Sequence, residues 1–93
     1  MLVGKLIYWA GNRNFGFVEV EIPERGGTRL DKYFLHRTRI GFTSAGEPQV
    51  GHFVRFDVGE RLPGKPFPLA VDAQIFETQA QAAAREASEE VSQ

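Results

Sequence analysis

Apolar and polar residues alternate in short runs along this chain, and Gly, Pro, Asn and Ser fill the gaps between runs. The first run, Gly4 to Trp9, predicts a strand with Leu6 and Tyr8 on one face and Lys5, Ile7 and Trp9 on the other. Ala10-Gly11-Asn12 predicts a turn, because Gly and Asn tolerate positive φ. A second strand is predicted from about Asn14 to Ile22, ended by Pro23, which has no donor for a ladder. Glu24 to Arg29 reads as a flexible connection. A third strand follows from Lys32 to His36, with Tyr33 and Leu35 on one side and Phe34 and His36 on the other. Thr38 to Gly51 reads as loop, with Phe42 as its apolar exception. The fourth strand is Phe53 to Val58, with Val54, Phe56 and Val58 inward. A Pro/Gly-rich loop leads to the fifth, Ala70 to Phe76, with Val71, Ala73 and Ile75 on one side. Five short strands separated by turn signals predict a small all-β barrel or sandwich.

One run stands apart. In Arg13-Asn14-Phe15-Gly16-Phe17-Val18 the two phenylalanines sit two residues apart, so a strand points both rings the same way. Val18, Val20 and Ile22 already supply an inward face, so Phe15 and Phe17 are expected on the exposed one. Exposed rings in a row suit stacking on unpaired bases, since every base has a flat π-face.

The chain has 93 residues, enough for one domain over 1–77, followed by an Ala/Gln/Glu-rich tail over 78–93. The tail is rich in helix formers but has only Val91 as a large apolar residue, so a fraying helix or a disordered segment is expected. Cysteine is absent, which excludes a disulfide framework and a cysteine–zinc site. No apolar run reaches membrane-spanning length and no signal-peptide pattern is seen, so a cytoplasmic, non-membrane setting is expected. The net charge of −1 hides an asymmetry: residues 1–39 carry seven Lys/Arg against four Asp/Glu, while both later segments are acidic. The aromatic strands therefore lie in the positive part, and phosphate attraction is expected to be modest.

At this point the sequence resembles the cold-shock domain family. Its pattern G-x-V-K-W-F-N-x-x-K-G-[FY]-G-F-I is similar to Gly4 to Val18 without a gap. Its V-F-V-H-F motif is similar to Tyr33-Phe34-Leu35-His36-Arg37, and its G-x-x-V-x-F-x-V stretch to Gly51 to Val58. The family ending G-P-x-A-x-N-V is only loosely echoed by Gly64-Lys65-Pro66 and Ala70-Val71-Asp72. The resemblance implies a five-stranded antiparallel OB-type barrel that binds single-stranded RNA or DNA and acts as an RNA chaperone or a regulator of transcription or translation. It implies stacking by Phe15, Phe17 and Phe34, with His36 stacking or hydrogen-bonding beside them. Tyr8 takes the place of the exposed tryptophan of the first strand. Arg13 takes that of the motif lysine, to meet phosphate or stack on a base, and Phe42 that of a loop phenylalanine extending the platform. Lys32 and Arg37 complete a basic fringe.

The departures carry information too. Ile7 stands where the family has lysine, and Arg37 where it has phenylalanine; a guanidinium both stacks and pairs with phosphate. Asn14 stands where the family has glycine and is the next best residue if the turn needs φ > 0.

No catalytic pattern emerges. His36 and His52 lack metal-ligand spacing, and Gly26-Gly27 lacks the lysine and hydroxyl residue of a phosphate loop. Glu19 and Glu21 share the face of Phe15 and Phe17, where they would mark the edge of a binding strip. A binding protein without enzyme activity, cofactor, metal or small-molecule substrate is expected. The rival is a small β-domain that has lost nucleic-acid binding and covers its rings with a protein partner or a second copy of itself.

Overall fold

The computed structural model describes residues 1–61 and 63–83. Its strands are β1 (Leu2–Ala10), β2 (Phe15–Glu24), β3 (Gly27–His36), β4 (Ile40–Thr43), β5 (Phe53–Val58) and β6 (Ala70–Phe76). They form one six-stranded sheet in the order β3-β2-β1-β5-β6-β4. Neighbours are antiparallel except β4 and β6, which pair parallel. A 3₁₀ turn at Arg37–Arg39 links β3 to β4.

The fold is all-β, as the alternation predicts, but it is not a five-stranded antiparallel barrel. The additional strand, β4, comes from the stretch read as loop. Its four residues include Gly41 and leave no side chain fully buried, so they carry no alternation to read. The free backbone groups along the outer side of β6 take it up as an edge strand. Nor is the sheet closed. β3 meets the approach to β6 at Phe34, whose N–H donates to the Pro68 carbonyl (2.9 Å) and which forms an isolated parallel bridge with Leu69.

Leu6, Val18, Leu35, Val54, Phe56 and Ile75 are fully buried and build the centre of the core. Tyr33 packs its ring on Phe56 with centroids 5.0 Å apart. Two bulges set which residues join them. In β1, Leu6 pairs with Val18 but Tyr8 pairs with Phe17, so Ile7 is an extra residue and the alternation changes phase. Leu6 is therefore buried and Tyr8 is 47% exposed, where regular alternation put them on one face. In β6, Arg55 of β5 faces Gln74 while Asp57 faces Val71, and Asp72 sits at φ 51 in between. Ala70, Ala73 and Ile75 are buried, and Val71 is only half-buried. At the end of β5, Val58 is 51% exposed rather than inward.

The expected flexible connection after Pro23 is instead a tight hairpin. β2 and β3 stay paired through Pro23 opposite Thr28 to Glu24 opposite Gly27, and Gly26 supplies φ 88 at the turn. Pairing of β1 with β2 reaches only Lys5 opposite Glu19, so beyond that point β2 has a free side, where proline is tolerated. After β6 a short helix covers 79–83. Thr78 and Gln81 cap it reciprocally: the Thr78 hydroxyl accepts from the Gln81 N–H (3.1 Å), and the Gln81 amide oxygen accepts from the Thr78 N–H (3.3 Å). Ala82 is fully buried, a packing contact not anticipated for this segment. The rest of the expected tail, 84–93, lies outside the described residues.

Candidate functional site

The outer face of β1, β2 and β3 is a set of cross-strand rows. Phe34 of β3 lies opposite Phe17 of β2, and Phe17 opposite Tyr8 of β1. His36 lies opposite Phe15 in the next row toward the turn. In the row on the other side, Glu19 stands between Lys32 and Lys5. The bulge at Ile7 brings Tyr8 onto this face. The inner neighbour of these rings is Gly16, where an added Cβ would lie 2.1 Å from the Tyr8 carbonyl oxygen and 2.7 Å from Trp9 Cε3. Glycine there lets Trp9 pack under the strand, against the core.

The rings touch one another. Phe15 stacks on Phe34 at 5.3 Å with planes 21° apart. Phe17 stands edge-on to Phe34 at 5.8 Å and to Phe15 at 6.0 Å. Tyr8 approaches Phe15 at 6.1 Å and Phe17 at 6.0 Å. Phe67, from the loop between β5 and β6, joins at 5.6 Å from Phe17. The loop residue was not anticipated. Its signal was Pro66-Phe67-Pro68: the first proline fixes φ, and the second holds Phe67 extended, which stiffens the ring's position. Phe15, Phe17, Phe34 and Phe67 are all half-buried, so their rings keep accessible faces while supporting one another.

The structure brings Tyr8, Phe15, Phe17, Phe34 and His36 together, and Lys32 beside them. Arg13 sits at the rim, in the turn closed by its own N–H to the Ala10 carbonyl (3.0 Å). His36 is held by its chain: Nδ1 accepts from the Thr38 N–H (3.2 Å) and lies 3.0 Å from the Thr38 hydroxyl. Phe42 is elsewhere. It lies on β4, at the opposite edge of the sheet from β3, with its ring 5.8 Å from Phe76. The loop phenylalanine expected to extend the platform therefore does not join the ring cluster, because the segment that carries it is drawn into the sheet beside β6.

Arg37 is engaged within the chain. Its guanidinium donates to both carboxylate oxygens of Glu47 and, through Nε, to Asn14 Oδ1 (2.9 Å). It also lies over the Trp9 ring, 5.4 Å from the centroid, and Trp9 Nε1–H donates to Glu47 Oε1 (3.3 Å). The Glu47 hydrogen bond holds the Arg37 pKa above its ordinary value, and the same bond holds the Glu47 carboxyl below its own. Asn14 has φ 61, which fits its place at a glycine position.

Two further cations frame the ring cluster. A hollow of about 380 Å³ is lined by Phe15, Phe17, Phe34, Lys65, Pro66 and Phe67. A second, of about 450 Å³, shares Pro66 and Phe67 and includes Lys32 and Arg61. Among the described residues, no group of three His, Cys, Asp or Glu is placed to hold a metal ion. Among them, too, no helix is long and apolar enough to cross a membrane. No family model matches the chain, and no curated protein matches it.

Proposed function

We propose that this chain binds single-stranded nucleic acid, RNA or DNA, on the outer face of β1–β3, in the manner of the cold-shock domains whose motifs it resembles. The observation that carries this reading is the continuous cluster of Tyr8, Phe15, Phe17, Phe34 and Phe67, whose rings lie 5.3–6.1 Å from their neighbours on one sheet face. Bases stack on the exposed ring faces, and Lys5, Arg13, Lys32 and Lys65 meet the backbone around them. Each stacked base contributes about 1–3 kcal/mol, so three of them approach the ~8 kcal/mol of a micromolar complex. A binder of this kind traps unpaired strands, which is the action of an RNA chaperone or of a regulator of transcription or translation. A cytoplasmic setting belongs to the same proposal, as does the absence of catalysis.

Anisotropy of labelled oligo-dT, oligo-U and a duplex control, at two salt concentrations, tests it. Saturable binding of the single strands over the duplex is expected, with binding lost in Phe15→Ala and Phe34→Ala. No response to any strand, together with a changed sedimentation coefficient for Phe34→Ala, supports instead a ring face that is an interface with protein or with a second copy.

A further inference from the structure

We infer that the loop between β5 and β6 builds a nucleotide slot against the ring platform, in which Phe67 and Lys65 receive one unpaired base and its phosphate before the strand passes Lys32 and Arg61. The inference rests on the single-strand reading above and extends it to Phe67 and Arg61, which no matched motif includes, and to Lys65, in the stretch that only loosely echoes one. The hollow bounded by Phe15, Phe17, Phe34 and Phe67 has almost entirely carbon walls, and Lys65 is its one charged lining residue. Phe67 meets Phe17 edge-on, but it comes from the loop and not from a strand, so its ring borders the platform from beside the sheet. A flat apolar ring tethered to a single negative charge matches both features.

Pro66 and Phe67 also line the larger hollow beside Lys32 and Arg61, so the two lie on either side of this loop. Lys32, Arg61 and Lys65 form no ion pair among the described residues. Asp31, the carboxylate in that second hollow, is already held by Arg29 at 2.8 and 3.1 Å, so it does not neutralise them. The path is therefore apolar first and cationic afterwards, as a base followed by its phosphates requires. Backbone bonds fix the loop that carries it. The Phe34 N–H donates to the Pro68 carbonyl (2.9 Å), the Gly59 N–H to the Leu69 carbonyl (2.7 Å) and the Leu69 N–H to the Glu60 carbonyl (3.1 Å).

The test is a length series of oligo-dT against the full chain and its Phe67→Ala, Phe67→Leu, Phe67→Trp and Lys65→Ala variants. Thermal melts accompany each variant. Phe67→Ala is expected to weaken long strands about tenfold and to shorten by about one nucleotide the length at which affinity levels off. Phe67→Leu keeps the apolar packing and is expected to bind as poorly as Phe67→Ala; Phe67→Trp retains binding. Lys65→Ala lowers the salt slope by about 0.7, one single-strand phosphate contact. Phe42→Ala, on the far edge of the sheet, leaves all three quantities unchanged. Wild-type affinity in both Phe67→Ala and Phe67→Leu, with binding lost in Phe15→Ala, overturns the slot and leaves the platform. Absence of single-strand binding by the unaltered chain overturns both.

Discussion

Glu47 shows how one side chain redirects a site. A free guanidinium at position 37 would be open to an outside anion; paired with Glu47, it instead ties the start of β2 to the Trp9 ring. The carboxylate is exposed, so the pair is read through its titration rather than through stability. The Arg37 hydrogen bond lowers the folded-state pKa of Glu47. Its favourable interaction is thus complete above the ordinary glutamate range and is lost as pH falls through the depressed value. Trp9 donates to the same carboxylate and reports the event. A change in Trp9 emission is expected with its midpoint below the usual glutamate range, and it is absent in Glu47→Gln. A fluorescence pH titration of the two proteins checks this. Trp9 lies beneath the strand rather than on the ring face, so Tyr8 and an external label are the better probes of the proposed binding.

At the scale of strands, the alternation located β5 and β6 at their observed bounds, and it located the outward placement of Phe15, Phe17 and Phe34. It misplaced Tyr8 and Val71 because a period of two has no means of registering an extra residue, and bulges in β1 and β6 add one. It missed β4 because a short edge strand with little buried surface leaves no periodic trace. Phe67 escaped for the opposite reason: its position is set by flanking prolines and by contact across the sheet, not by any strand pattern. Asn14 was legible because a residue type tolerant of left-handed φ is itself a conformational signal. The bulge in β6 makes a prediction of its own. Asp72 holds φ 51, where a β-branched side chain is strained, so Asp72→Val is expected to destabilise the protein by about 1–2 kcal/mol. Asp72→Asn or Asp72→Gly leaves it close to the parent. Urea unfolding of the three variants separates the cases.

Over the whole molecule, order should fall away along the β2–β3 hairpin. Its base is joined to β1 and backed by Val18, Val20 and Leu35, whereas past Glu19 β2 has no β1 partner. Arg29, with Glu24 and Asp31, provides exposed ion pairs there, which contribute little. Amide hydrogen exchange is expected to open the stretch around the Glu24–Gly27 turn well below the global unfolding free energy. The amides of Val18, Leu35, Val54 and Ile75 should exchange only on global unfolding. Uniform protection along the hairpin would instead mark it as one cooperative unit with the core.

The extra residue at Ile7 has a consequence for how this surface can change. Residues before it pair with β5 and, at Lys5 and Leu6, with β2 as well; residues after it pair with β2 alone. Tyr8, exposed after the joint, can thus be exchanged for another ring without the interior having to be rebuilt around Leu6, which is buried before it.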